Sequence, residues 1–134
     1  MRIYATAFAA TAFVFLVLDS IWLGVVAIGF YRDTIGHLLA AEPDFLAAAC
    51  FYALYLLGVL YFAVAPAVTR GNLTSATLSG AFLGVVAYAT YDLTNMATMR
   101  DWPLSVTVVD LLWGAFVTGA ASAAGYLAGR RLSV

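Results

Sequence analysis

Polar residues are sparse in this chain and gather in short groups, and between the groups run four apolar stretches, at about residues 4–30, 45–66, 73–96 and 104–128. Each is long enough to span, since about 20 apolar residues of helix cross a bilayer core about 30 Å thick. The connections at 31–44, 67–72 and 97–103 are short, so successive helices are expected to lie antiparallel. The pattern predicts an all-α membrane protein, a four-transmembrane-helix antiparallel bundle that forms a single domain over 1–134. The first apolar run continues from Ile3 for about 28 residues, longer than the apolar core of a cleaved secretory signal, and is read as a retained span.

Composition agrees. Hydrophobic residues make up 65% of the chain and charged residues 10%, against about 45–50% and about 25% in soluble domains. That excludes soluble and disordered classes. All six basic residues are Arg, and seven carboxylates leave a net charge of −1, so no basic footprint for nucleic acid exists. The lone Cys50 excludes an internal disulfide and a thiolate metal cage. Arg2, Arg70, Arg130 and Arg131 fall on one side of the predicted membrane, Arg32 and Arg100 on the other. The positive-inside rule then predicts both termini cytoplasmic. Asp33, Glu42, Asp44 and Asp101 all lie on the opposite side. Asn72-Leu73-Thr74 has the form of a glycosylation sequon, but in a cytoplasmic loop it is a chance match. A shift of 68 residues lays Arg2 on Arg70, Arg32 on Arg100 and Asp33 on Asp101, the pattern expected of two parallel helical-hairpin repeats, although the apolar residues align no better than composition allows.

Lipid tails are as apolar as Leu, so helices in a bilayer associate through close backbone approach at small residues and through interhelical hydrogen bonds. Two rows of that kind stand out: Ala76, Gly80 and Gly84 on helix three, continued by Tyr88, and Gly114, Thr118 and Ser122 on helix four. A third, Ala121, Gly125 and Gly129, occupies another face of helix four. They predict internal seams. Helix two carries Tyr52, Tyr55, Tyr61 and Phe62 and no acid or base, and is expected to be a supporting helix, either lipid-facing or a wedge.

The informative polar residues are three acids inside spans: Asp19 in helix one, Asp92 in helix three and Asp110 in helix four. At about 1.5 Å rise per residue, Asp19 lies about 18 Å below Tyr31, Asp92 about 12 Å below Arg100 and Asp110 about 10 Å below Pro103. All three therefore sit in the outer half or near the midplane, where a carboxyl facing lipid costs a few kcal/mol or more and so turns inward, pairs or stays protonated. Neighbours at helical spacing extend the group. Trp22 and Trp113 stand three residues after Asp19 and Asp110, Asn95 stands three after Asp92, and Tyr91, Thr94, Tyr88 and Thr107 lie close by. Tyr31, Arg32, Arg100, Trp102 and His37 would stand at the mouth of such a cleft. In this reading Asp92 and Asn95 would touch a ligand, and Trp22 and Trp113 would form walls. The competing reading makes the same groups interhelical glue at about 0.6–2 kcal/mol per bond, with Trp102 an interfacial anchor and His37 a solvated loop residue.

Residue types dismiss several chemistries. There is no His/Cys cluster for zinc or haem, no HExxH, no GxSxG, no phosphate-binding glycine loop and no Lys for a Schiff base. No metal and no cofactor is expected.

The segment Tyr91-Asp92-Leu93-Thr94-Asn95-Met96-Ala97, followed by Trp102-Pro103 and by Asp110-Leu111-Leu112-Trp113-Gly114, resembles the membrane protein family known as DUF2177, and the similarity extends to Asp19, Trp22, Leu23 and Gly24. The resemblance implies a small, mostly bacterial integral membrane protein of four spans, placing it in the inner membrane. It implies no activity. Three functions stay open on the residues: binding or transport of a cation or small cationic or hydroxylated ligand at Asp19, Asp92 and Asp110; an enzyme acting on a lipid or isoprenoid, with one Asp as acid and another as base; and an accessory subunit of a larger membrane complex. A transporter of this size would be expected to form a homodimer. Apart from the lipid bilayer and such a ligand or subunit, no partner is expected, and in particular no nucleic acid.

Overall fold

The computed structural model describes residues 1–132, so the domain expected over 1–134 is described up to Leu132, and Ser133 and Val134 lie outside the described residues. Six α-helices follow in order: α1 (Arg2–Ile21), α2 (Ile28–Ile35), α3 (Phe45–Val59), α4 (Ala65–Arg70), α5 (Leu73–Thr98) and α6 (Leu104–Arg131). No strand occurs among the described residues. Four continuous stretches are long and apolar enough to cross a membrane: Arg2–Val26, Phe45–Arg70, Leu73–Thr98 and Leu104–Arg131. The fold is an all-α membrane bundle.

Two spans depart from the simple reading of the sequence. The first does not run unbroken to residue 30. At Trp22–Val26 the chain widens into a π turn, closed by the N–H of Ala27 on the carbonyl of Trp22 at 2.8 Å, and a separate helix, α2, restarts at Ile28. Much of what reads as a loop from residue 31 is thus helical. The second span does not stop at Pro66, because it passes through another π turn at Leu60–Val64 and continues to Arg70. Proline lacks an N–H and interrupts a regular helix, but Pro66 stands in the first turn after the widened one, where the regular hydrogen-bond ladder is already broken. Gly71, with φ +69, then ends α4 in the left-handed region, and the side chain of Asn72 caps α5 by accepting from the Ser75 N–H at 3.0 Å. Asp44 caps α3 in the same way.

The middle of the bundle belongs to α6. In its most apolar window 44% of the residues are buried, against 17% in each other span. The small residues explain how. A methyl on Gly80 would meet the Ser122 side chain at 2.2 Å, and one on Gly84 would meet the Gly114 carbonyl oxygen at 2.0 Å; the two rows therefore face each other and bring α5 and α6 to backbone contact. The third row faces the opposite way, where a methyl on Gly125 would meet Thr11 of α1 at 2.0 Å and one on Gly129 would meet Val68 of α4 at 3.1 Å. The second span packs unequally along its length. Val59, Ala63, Val64, Ala67 and Val68 are buried, whereas Phe45, Leu46, Leu54 and Leu57 are exposed. It docks at the end that holds the chain termini and stands away from the bundle at the far end. The two π turns at 22–26 and 60–64 have no counterpart 68 residues later, since α5 runs through 90–94 as α-helix and α6 through 128–131 before it ends.

The α5–α6 seam tolerates nothing larger than glycine at its tightest point. Gly84→Ala is expected to lower the melting temperature of the detergent-solubilised protein, with a loss on the order of 1–3 kcal/mol for overpacking against backbone. Gly58→Ala, where nothing lies within 4 Å, should leave it unchanged or slightly raised; equal effects from both would contradict the seam.

Candidate functional site

Spans one, three and four bring their acids to the far end of the bundle. Asp19, Asp92 and Asp110 are 5%, 0% and 8% exposed, so none faces lipid, and each solves its burial differently. Asp19 accepts two hydrogen bonds from other spans, one from the Trp113 indole N–H at 3.1 Å and a very short one from the Tyr52 hydroxyl. Asp110 accepts a very short hydrogen bond from the Tyr31 hydroxyl, which in turn accepts from the Trp22 indole at 3.1 Å. The connections cross. The indole of α6 serves the acid of α1, and the indole just after α1 serves the acid of α6 through Tyr31. Between them the two indoles stack face to face, centroids 4.4 Å apart and planes 7° from parallel.

The π turn makes this possible. Trp22 opens it, and the restart at Ala27 aims α2 so that Tyr31 returns toward α6. A continuous helix would have carried Tyr31 on along the axis, about 18 Å from the level of Asp19.

These side chains line a cavity of about 430 Å³. Its walls come from every span: Asp19, Trp22 and Leu23 from the first, Tyr31 and Ile35 from α2, Phe51 and Tyr52 from α3, Ala87, Tyr88 and Tyr91 from α5, and Asp110 and Trp113 from α6. Trp102 closes one side, its indole N–H held by Thr107 at 3.1 Å and its ring edge-on to Tyr91 at 5.7 Å. The space is there because the far end of α3 stands off the bundle. Phe15 sets the spacing by packing edge-to-face on Tyr52 and Tyr55, at 6.1 and 5.4 Å.

Several expectations change. Helix two is no mere lipid-facing support: Tyr61 and Phe62 do face outward, but Tyr52 donates to Asp19 and Tyr55 shares a 2.8 Å hydrogen bond with Thr118. Tyrosine is apolar enough to read as lipid-facing and polar enough to satisfy an acid across a helix interface, and no spacing within one helix reveals which it will do. Trp22 and Trp113 line the cavity and are also hydrogen-bond donors to its polar groups. Trp102 is half-buried in the same wall. Asp92 and Asn95 stand outside the lining, with Asp92 buried behind it and Asn95 half-exposed on the rim of α5. Thr94 turns back on its own helix, donating to the Tyr91 carbonyl at 3.0 Å. Arg32, Arg100 and His37 are exposed and line no part of the cavity. No group of three or more His, Cys, Asp or Glu among the described residues is placed to hold a metal ion, so the three acids do not share one ligand shell.

No curated protein and no solved structure matches the chain. A family model does, over residues 4–127, and its family is described as a predicted membrane protein. The matched region holds Asp19, Asp92 and Asp110, most of each of the four spans and every residue that lines the cavity, and the chain belongs to the DUF2177 family of membrane proteins.

Proposed function

We propose that the chain binds a small lipophilic cation in the cavity at the far end of the bundle. One observation carries the reading: the lining holds two carboxyl groups and eight aromatic rings, and no basic side chain is among the described residues that form it. Carboxylates supply the countercharge for an organic cation, and aromatic faces supply both apolar surface and cation–π attraction of about 0.5–2 kcal/mol per good contact. A hydrophilic anion finds no donor pair here, and a bare metal ion would lack a ligand set. An ammonium or phosphonium group with an apolar body suits every wall.

The three tryptophans of the chain all line this cavity, so tryptophan fluorescence reports on its walls. Tetraphenylphosphonium added to the protein in lipid nanodiscs should change the emission saturably, whereas a neutral aromatic of similar size should not. Asp110→Asn is expected to weaken binding by about tenfold, equivalent to about 1.4 kcal/mol. A saturable response of equal strength to the neutral compound would rule the cation reading out.

A second reading has its own observation. Both lining acids already accept protein hydrogen bonds, which is what an assembly element would show. The two readings separate at Trp113→Phe, which keeps the wall but removes one donor to Asp19. Under cation binding it should cost about 1–3 kcal/mol of stability and leave tetraphenylphosphonium affinity within a few-fold. Loss of stability with no cation affinity in the parent protein would favour the assembly role.

We place both termini on the cytoplasmic face of a bacterial inner membrane, because four of the six Arg lie at the end that carries the termini. The cavity then opens toward the outer leaflet. A C-terminal reporter fusion and one at Gly36 should report opposite sides, with the C-terminal one inside; an external C-terminus would reverse the orientation.

A further inference from the structure

Asp92 is the polar residue for which the cavity gives no account. It is fully buried, and neither carboxyl oxygen meets a hydrogen-bond donor among the described residues. Its place follows from the α5–α6 seam. Gly84 touches Gly114 there. Moving two turns along α5 reaches Asp92, and moving one turn back along the antiparallel α6 reaches Asp110. The seam thus sets the two carboxyl groups side by side at the far end of the α5–α6 interface. The other titratable groups that face them are the phenols of Tyr31 from α2 and of Tyr88 and Tyr91 from α5, together with Asp19 from α1. None is a cation.

Two adjacent carboxylates in a low-dielectric site without a countercharge repel strongly, and a pair so placed is held together by a proton between the oxygens, as in other paired-acid sites. We infer that Asp92 and Asp110 share one proton, and that a cation bound in the cavity beside Asp110 displaces it. This rests on the cation reading for its second half only. The exchange balances: one positive charge enters the cavity, the O–H bond of the carboxyl pair breaks, and one proton leaves to water, so the net charge of the site stays constant. Asp92 is the inner member of the pair, behind the wall, and Asp110 is the member that both the proton and the ligand contact. Cation affinity should consequently rise with pH, by up to about tenfold per pH unit for a one-for-one exchange.

Infrared difference spectroscopy of the protein in nanodiscs tests both halves. At neutral pH the wild type should show a protonated-carboxyl C=O stretch that shifts down in D2O and is missing from Asp92→Asn, and binding of tetraphenylphosphonium should discharge it with release of about one proton per cation, read with a pH dye in weak buffer. Should Asp92→Asn fail to fold, the D2O shift and the discharge by cation are measured on the wild type. No such band in the wild type, or a band that persists in Asp92→Asn and disappears in Asp19→Asn, overturns the shared proton. Cation binding without proton release overturns the exchange. If tetraphenylphosphonium does not bind, the cation reading falls with the exchange, while the band and its loss in Asp92→Asn still decide the shared proton.

Discussion

A carboxyl group inside a hydrocarbon slab has no water to turn to, so every one of its hydrogen bonds must be found on another part of the same protein. Three such groups in this chain constrain most of what surrounds them. Asp19 draws Tyr52 and Trp113 toward it from two other spans. Asp110 requires a donor that its own helix does not offer, and it finds one in Tyr31, a residue brought back over the bundle by a widened turn. Asp92 finds none and is enclosed against Asp110. The aromatic lining of the cavity is in large part the set of rings recruited to satisfy acids.

This arrangement depends on small residues elsewhere. The α5–α6 seam closes to backbone contact at Gly80, Gly84 and Gly114, which holds the two helices close enough for Asp92 and Asp110 to meet two turns and one turn farther on. The Ala121, Gly125 and Gly129 face brings α1 and α4 in from the other side. Tight packing near the termini and an open space at the far end are two ends of one geometry, since the second span is fastened by Val59, Ala63, Val64, Ala67 and Val68 and leaves its other half to stand clear.

Much of this could be read from the chain before any coordinates. Apolar runs of the right length are set by the thickness of the bilayer, and the membrane class, the number of spans and the burial of all three acids follow from that single requirement. The small-residue rows were visible for the same reason, because only close backbone approach explains them. Illegible were features that depend on two elements at once. Nothing near Tyr52 or Tyr31 in sequence marks them as partners of Asp19 and Asp110, which lie 33 and 79 residues away. The π turns carry no signature either: Trp22–Val26 is as apolar as its surroundings, and Pro66 suggested a helix end where the widened turn before it absorbed the missing donor. Spacing within one helix placed Trp22 beside Asp19 and Trp113 beside Asp110, and the structure exchanges the partners.

The widened turn at Trp22–Val26 also bears on how this segment can vary. A π turn holds one residue more than the α-helical turn it replaces, so its effect resides in length rather than in side-chain chemistry. Removing any one residue between Trp22 and Val26 would restore regular helix and rotate everything beyond it by about 100°, swinging the Tyr31 hydroxyl away from Asp110. Adding a residue would rotate it the other way. Trp22 is held by its hydrogen bond to Tyr31, but substitution over the other four residues of the turn changes only lipid-facing or wall side chains, because none of them is buried. The stretch from Asp19 to Tyr31 therefore behaves as a ruler, free in composition over much of its length and constrained in residue count.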